Sequence, residues 1–173
     1  MPTLRPATAE DFAAITTIYG DHVRDGTATF EIESPDLQEM LRRWHEVTER
    51  GLPYLVAMRG DEVAGYAYAG AYRPRPAYRN TVEDSIYLRR DCVGQGIGRA
   101  LLAALIAGCE RAGARQMIAV IGDRGNAASI RLHAGAGFAP IGVLHDVGWK
   151  FGRWLDVVLM QRPLGPGAQV PAA

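Results

Sequence analysis

The spacing of apolar residues predicts two amphipathic helices in the first fifty residues. Thr8 followed by Asp11 is a capping-box signal for the first helix, whose apolar residues recur at helical spacing at Phe12, Ile15, Ile18, Tyr19 and Val23. The second helix begins at Ser34 as the N-cap, with Pro35 at the first helical position. Gly51 is a natural C-terminal stop for this helix.

The pattern then changes to that of strands. Residues 54–58 and 63–72, joined by a tight turn, predict an antiparallel hairpin, and residues 81–88 predict the next strand. The Arg-Pro-Arg-Pro segment at 73–76 is predicted to be a loop, because proline cannot donate to a central sheet ladder.

The second half alternates helices and strands. A helix beginning near Ile97 has apolar residues four positions apart and ends at Gly113. A buried strand at 116–121, a short helix capped by Asn126, and two strands around 141–146 and 154–160 follow. This order predicts one α/β domain of three layers, with a mixed central sheet, an antiparallel N-terminal half and one βαβ unit. We expect the domain to cover residues 1–164 and residues 165–173 to be a disordered tail.

Composition narrows the classes of function. Lys+Arg and Asp+Glu both number 19, so no global charge attracts nucleic acid or an anionic membrane. No apolar run of about 18 residues predicts a membrane span, and no segment resembles a signal peptide. Cys92 and Cys109 have no metal-type spacing, and the histidines at 22, 45 and 145 are too scattered to predict a metal site. We therefore expect a cytoplasmic protein.

A glycine-rich segment separates the strand at 81–88 from the following helix. Gly94, Gly96 and Gly98 allow close approach to the backbone, and a helix N-terminus favours an anion. A simple tight turn explains the glycines equally well. A P-loop is excluded because no Lys-Ser or Lys-Thr follows. A Rossmann fingerprint is disfavoured by the alternate spacing and the position behind a hairpin, although Asp123 resembles a ribose-binding acid.

This segment resembles the pyrophosphate loop, Q/R-x-x-G-x-G/A, of the GNAT-type N-acetyltransferases. Gly96 and Gly98 match the motif, whereas Val93 departs from its Gln or Arg. Residues 126–138 resemble a second segment of the family, N-x-x-A-x-x-L-Y-x-x-x-G-F. The chain is therefore identified as a member of this superfamily, which implies acetyl-CoA as co-substrate and no metal. The resemblance implies cofactor-binding roles for Ile86, Tyr87, Leu88, Gly94, Gln95, Gly96, Ile97, Gly98, Arg99 and Asn126.

Two further stretches, residues 72–88 and 150–156, are similar to the branch that acetylates phosphinothricin, methionine sulfoximine and methionine sulfone. This resemblance implies N-acetylation of a small anionic amino-acid analogue by a homodimer. The aromatic segment around Trp149 and Trp154 is a candidate dimer interface.

The acetyl-transfer chemistry suggests roles for individual residues. Glu83 is the candidate base for the acceptor amine, and the backbone N–H of Tyr87 or a neighbour is the candidate oxyanion donor. His133 stands where many relatives carry a tyrosine that protonates the leaving thiolate, but it is equally consistent with an ordinary helix residue. The arginines at 73, 75 and 79 suit an anionic acceptor, so the predicted acceptor-binding residues are Arg73, Pro74, Arg75, Glu83, Asp84 and Ser85.

Two alternatives stay open. A non-catalytic acyl-CoA sensor would keep the glycine loop without a base, and a protein N-terminal acetyltransferase would need an open peptide groove. Glu83 and the arginine cluster favour a small-molecule acetyltransferase over both.

Overall fold

The computed structural model describes residues 2–171. The strands are β1 (Thr3–Pro6), β2 (Tyr54–Arg59), β3 (Glu62–Ala71), β4 (Thr81–Leu88), β5 (Gln116–Gly122), β6 (Ala139–Lys150) and β7 (Arg153–Pro163). The helices are α1 (Phe12–Asp25), α2 (Leu37–Glu49), α3 (Ile97–Arg111) and α4 (Ala127–Gly135), with short 3-10 turns at Ala9–Asp11, Pro76–Tyr78 and Arg90–Cys92.

The seven strands form one mixed sheet in the order β1-β2-β3-β4-β5-β7-β6. Neighbouring strands are antiparallel except β4 and β5, which run parallel and are connected through α3. This confirms the predicted antiparallel N-terminal half and the single βαβ unit.

The sheet is covered on both faces by helices, which gives the predicted three layers. One apolar cluster joins α1 and α2 to β2, β3 and β4, and includes Phe12, Ile15 and Tyr66. A second cluster lies on the opposite face, where α3 and α4 pack, and includes Leu101, Leu105 and Met117. Alternate residues of β4 therefore belong to different layers.

The N-terminal elements agree with the apolar pattern except at two points. The Thr8–Asp11 capping box is present, and its first turn is a 3-10 turn that continues into α1. The second predicted cap is wrong, because Asp36 rather than Ser34 precedes α2 and its Oδ1 accepts from the Glu39 N–H at 2.8 Å. The short edge strand β1 was not predicted.

The C-terminal hairpin is longer than its predicted strands. β6 and β7 meet at a two-residue turn in which Phe151 and Gly152 have φ of +53° and +71°, so the strands pair up to Lys150 and Arg153. β6 has irregular register after Pro140 and after Leu144. These bulges break the regular alternation on which strand prediction depends.

The residues after β7 return to the domain. Leu164 is fully buried, and its N–H donates to the Arg115 carbonyl at 2.9 Å. The Arg115 side chain donates to the carbonyl of Gly167 at 3.5 Å and to that of Pro171 at 3.2 Å. Disorder of residues 165–173 stays a prediction, and Ala172 and Ala173 lie outside the described residues. Across residues 2–171, no helix is long and apolar enough to span a bilayer.

Candidate functional site

The two parallel strands at the centre of the sheet separate along their length. β4 pairs with β3 from Val82 to Leu88. It pairs with β5 only over residues 81–84, where Asp84 opposite Ala119 is the last pair. β5 is paired with β7 along its whole length, so beyond Ala119 its only strand partner in the described residues is β7. Residues 85–88 therefore present an open backbone edge toward a cleft between β4 and β5.

The backbone groups that face this cleft follow from the strand register. The Arg89 N–H donates to β3 at 2.9 Å, and the Thr81 carbonyl accepts from the Tyr72 N–H. Since backbone direction alternates along a strand, odd-numbered residues of β4 face β3 and even-numbered ones face β5. Ile86 and Leu88 therefore line the cleft with their N–H and C=O groups. The Tyr87 N–H faces β3, so the predicted oxyanion donor moves from Tyr87 to a neighbour.

The side chain of Tyr87 is a core residue. It is buried in the α1–α2 cluster, where its ring lies 5.0 Å from Tyr19 and 5.3 Å from His22 between centroids. His22 Nε2 lies 2.8 Å from the Leu88 carbonyl oxygen. A carbonyl only accepts, so Nε2 carries the proton. His22 therefore contacts the cleft edge, which its sequence position did not indicate.

The glycine loop lies between this edge and α3. Gly94 and Gly96 both have φ of +80°, and no atom lies within 4 Å of a Cβ built on either residue. Gly96 is the N-cap of α3, whose first-turn N–H groups have no intrahelical partner. The Gln95 side chain donates to the Asp91 carbonyl at 2.7 Å, and Arg99 in the first turn is exposed. The loop is thus an open cradle of backbone N–H groups, a geometry that suits an anion.

α3 and α4 converge on the end of β4. A Cβ on Gly98 would lie 3.5 Å from side-chain atoms of both Leu88 and Leu132. Asn126 caps α4 by accepting from the Ser129 N–H at 3.2 Å. The predicted capping role of Asn126 is therefore confirmed, and its contact with the cofactor stays a prediction.

Glu83 lies on the α1–α2 face of β4, together with Ser85. Ser85 shares a hydrogen bond with Tyr68, and the charge of Glu83 acts on the same tyrosine. Burial raises the pKa of the half-buried Glu83, the negative charge of Asp84 raises it further, and Arg73 opposes both. A carboxylate with a raised pKa is a better base for an ammonium group.

The arginine loop is exposed. The Arg73 guanidinium carbon lies 5.2 Å from the centre of the Tyr72 ring, and its charge reaches Glu83. Pro74 and Arg75 are also exposed, just before the 3-10 turn at Pro76–Tyr78. Arg73 is thus placed on the Glu83 side, whereas an acceptor contact for Pro74 or Arg75 stays a prediction.

Asp84 does not share the face of Glu83. Its Oδ2 lies 2.8 Å from Nε2 of His133 on α4, and the two side chains are 2% and 5% exposed. Strand alternation turns Asp84 to the α3–α4 face, opposite to Glu83, and this geometry disfavours the predicted acceptor contact of Asp84. His133 Nδ1 lies 2.8 Å from the Ser129 carbonyl oxygen. Both ring nitrogens are engaged, which disfavours direct proton donation by His133 to a thiolate.

The loop between α1 and α2 is a part of the site that the sequence pattern did not indicate. Lys150 is buried and donates to the carbonyls of Gly26 and Thr29 at 2.8 and 2.9 Å. Glu31 accepts from the Tyr19 hydroxyl at 2.8 Å. The charge of Glu31 also acts on Tyr68, as the charge of Glu83 does. The α1–α2 loop therefore lies on the same side of the sheet as Glu83. Within residues 2–171, no cluster of three metal-type side chains is present.

Comparison with known proteins agrees with this geometry. The acetyltransferase (GNAT) domain family matches residues 4–159. The chain belongs to this family. A phosphinothricin N-acetyltransferase of Alcaligenes faecalis is 57% identical over 95% of this chain and 84% of its own length. An L-methionine sulfoximine/L-methionine sulfone acetyltransferase of Pseudomonas aeruginosa is 42% identical over 98% of both chains.

A crystal structure of a GNAT phosphinothricin acetyltransferase from Sinorhizobium meliloti, in complex with acetyl-CoA, superposes with a TM-score of 0.97. It is 47% identical, and the match covers 99% of this chain and 93% of the other. The chain therefore shares the fold of a GNAT acetyltransferase that binds acetyl-CoA over nearly its whole length.

Proposed function

We propose that the protein transfers the acetyl group of acetyl-CoA to the amino group of a small anionic amino-acid analogue, such as phosphinothricin, methionine sulfoximine or methionine sulfone. One observation carries the proposal: the open backbone edge at residues 85–88 and the carboxylate of Glu83 belong to the same strand, β4. The named activities of the Alcaligenes and Pseudomonas relatives support the acceptor class.

The residues present fit acetyl-CoA, which supplies the acetyl group as a thioester. The cradle at Gly94 and Gly96 is open, and its backbone N–H groups would hold the pyrophosphate. The cleft-facing groups of Ile86 and Leu88 would pair with the pantetheine as an added strand does. The N–H of Ile86 is the first one beyond the last β4–β5 pair, so it is the candidate donor to the acetyl carbonyl.

Glu83 removes the proton of the acceptor ammonium, directly or through one water. An α-amino group is mostly protonated at neutral pH, so attack on a thioester needs a base. Burial raises the pKa of Glu83 but the neighbouring Arg73 opposes this, which keeps the carboxylate available to accept a proton. A non-catalytic sensor has no need of such a group beside the cleft.

Arg73 binds the anionic end of the acceptor. A guanidinium offers paired N–H donors to a carboxylate or phosphinate, and Arg73 lies close enough to act on the Glu83 charge. This places an anion site beside the base, as a small amino-acid analogue requires. Arg75 on the same loop is the second candidate for this contact.

The protein functions as a homodimer in this proposal. β6 is an edge strand, and the hairpin leaves large apolar side chains more than half exposed at Ile141, Val147, Trp149, Phe151 and Trp154. Exposed apolar patches of this kind are typical of interfaces. The rings of Trp149 and Trp154 pair edge-on at 5.2 Å. The cytoplasmic location expected from the sequence is part of the same proposal.

A competitive acetylation screen tests the acceptor class. Phosphinothricin, methionine sulfoximine, methionine sulfone, the twenty ordinary amino acids and a peptide with N-terminal alanine are compared by kcat/KM at saturating acetyl-CoA. We expect the three analogues to exceed the peptide. Faster turnover of the peptide would favour an N-terminal acetyltransferase, and no turnover with any amine despite acetyl-CoA binding would favour a sensor.

A further inference from the structure

The contact between Asp84 and His133 joins two elements that border the cleft. Oδ2 of Asp84 on β4 lies 2.8 Å from Nε2 of His133 on α4. The imidazole is also held edge-on against Phe138, with 5.0 Å between ring centres. Both side chains are almost completely buried, so their geometry is fixed by packing as well as by the hydrogen bond.

The hydrogen-bond partners define the protonation of this pair. Nδ1 of His133 lies 2.8 Å from the Ser129 carbonyl oxygen, which only accepts, and 3.3 Å from the Ser129 hydroxyl, so the shorter contact assigns a proton to Nδ1. The contact between Nε2 and Oδ2 then holds one further proton, which the imidazole and the carboxyl group share. Oδ1 of Asp84 is buried and has no hydrogen-bond partner among residues 2–171. His133 is therefore the group that compensates the charge of Asp84.

The pair lies at the point where the cleft begins. Asp84 opposite Ala119 is the last pair between β4 and β5, and the strands separate beyond it. Directly opposed residues of neighbouring strands share a face, so Ala119 lies on the same face of the sheet as Asp84.

The residue next to His133 extends the connection to the cofactor loop. Leu132 and Leu88 both approach Gly98 in the first turn of α3. Three elements therefore meet here: the open edge of β4, the start of α3 and the middle of α4. Any change in the position of α4 relative to β4 would alter the width of the cleft and the orientation of its backbone donors.

We infer that Asp84 and His133 are positioning residues that form a buried clamp between β4 and α4 and set the geometry of the acetyl-CoA cleft. This inference rests on the proposed function and deepens it. The clamp acts on the cofactor side, because Asp84 lies on the face of β4 opposite to Glu83. His133 acts through Asp84 and donates no proton to the leaving thiolate.

A double-mutant cycle with calorimetric titration of acetyl-CoA tests the clamp. Asp84→Ala and His133→Ala should each weaken acetyl-CoA binding by about ten- to a hundredfold, comparable to the loss of one hydrogen bond to a charged group. The double variant should bind within about twofold of either single variant, since all three lack the same contact. Asp84→Asn keeps a hydrogen-bonding group of the same shape and should restore most of the affinity. The acceptor KM should change little in each variant.

A matched control separates the clamp from a general loss of stability. Leu164→Ala removes a fully buried side chain of the same apolar cluster, next to Arg115 at the opposite end of β5 from the cleft. It should lower the melting temperature and leave acetyl-CoA affinity unchanged. Where an alanine variant does not fold, Asp84→Leu and His133→Leu, which fill the space without forming the hydrogen bond, complete the cycle.

Additive losses in the double variant, or unchanged affinity in folded single variants, would overturn the clamp. The same titration on Gly96→Asp distinguishes failure of the clamp from failure of the proposed function. If Gly96→Asp abolishes binding while the Asp84 and His133 variants bind normally, the cofactor site is correct and the clamp is wrong. If Gly96→Asp also binds normally, the proposed cofactor site itself is contradicted.

Discussion

Glu83 and Asp84 are neighbours on β4, and their side chains lie on opposite faces of the sheet. Glu83 faces α1 and α2 beside Tyr68, whereas Asp84 is buried against His133 of α4. The two adjacent carboxylates of β4 therefore lie in different surroundings. In the proposed function, Glu83 is the base for the acceptor, and in the proposed clamp, Asp84 holds the elements that border the acetyl-CoA cleft.

Gly96→Asp should abolish acetyl-CoA binding. The substitution places a negative charge in the cradle proposed for the pyrophosphate, at a residue whose φ is +80°. Calorimetric titration measures the affinity. Gly51→Asp is a matched control, because Gly51 also has positive φ and open space around it but lies beyond α2. Retained affinity in a folded Gly96→Asp variant would remove the loop from the site.

Arg73→Ala should raise the acceptor KM by about ten- to a hundredfold, which corresponds to losing a charged hydrogen bond of about 1.5–3 kcal/mol. The KM for acetyl-CoA should not change. Arg75→Ala should act in the same direction. Arg50→Ala, at an exposed arginine that follows α2, is the control. Unaltered acceptor kinetics in the Arg73→Ala, Arg75→Ala double variant would show that the loop does not bind the acceptor.

The same arginine should also shift the pH dependence of the reaction. The positive charge of Arg73 lowers the pKa of Glu83, against the effects of burial and Asp84. Removing that charge lets the pKa rise further, so the acid limb of kcat/KM should move to higher pH in Arg73→Ala. If the acid limb of the Arg73→Ala profile stays at the wild-type pH, a group other than Glu83 controls the pH dependence of kcat/KM.

His133 should make thermal stability depend on pH. Burial alone would lower its pKa, but the hydrogen bond and charge of Asp84 outweigh this and the net pKa is raised. A raised folded-state pKa gives stabilisation that is complete below the unfolded value of about 6.5 and is lost as pH rises through the folded value.

The melting temperature of wild type should therefore fall toward that of His133→Gln as pH rises above about 6.5. His45→Gln, at an exposed histidine of α2, is the control. Its melting temperature should change with pH in parallel with that of wild type. Calorimetric melting curves across this pH range measure the difference. A wild-type curve parallel to that of His133→Gln would contradict the charged pair.

The exposed hairpin surface should mediate dimerisation. Sedimentation equilibrium of wild type is expected to give twice the chain mass. Trp149→Lys with Trp154→Lys should give the monomer, because two buried charges would have no partner in an apolar interface. Ile32→Lys replaces an exposed apolar residue on the α1–α2 loop and should leave the dimer intact. A wild-type monomer at micromolar concentration would contradict the interface.

The parts of the molecule that the sequence predicts have local signals. The glycine loop, the Thr8–Asp11 capping box and the helical spacing are readable within a few residues, and the order of helices and strands along the chain followed from such local signals. β1 was missed because its four residues are too short for a periodic pattern. The Asp36 cap was missed because Ser34 and Asp36 are both good caps two residues apart.

The features of the site that the sequence did not predict depend on strand register and on contacts between residues far apart in the sequence. Whether Tyr87 or Ile86 turns its N–H to the cleft is decided by the pairing of β4 with β3. Asp84 and His133 are 49 positions apart, and their contact depends on which face of β4 meets α4. Neither relationship leaves a signal in the spacing of residues along one chain.

The central claim is that Glu83 is the base, and a pH–rate profile of Glu83→Gln against wild type at saturating acetyl-CoA tests it most directly. The substitution keeps the shape and removes the proton acceptor, so kcat at neutral pH should fall by about 10²–10⁴ while calorimetry shows unchanged acetyl-CoA affinity. The loss should shrink as pH rises, because more of the acceptor amine is then already neutral. A kcat near the wild-type value at neutral pH would show that the amine loses its proton elsewhere and would contradict the account.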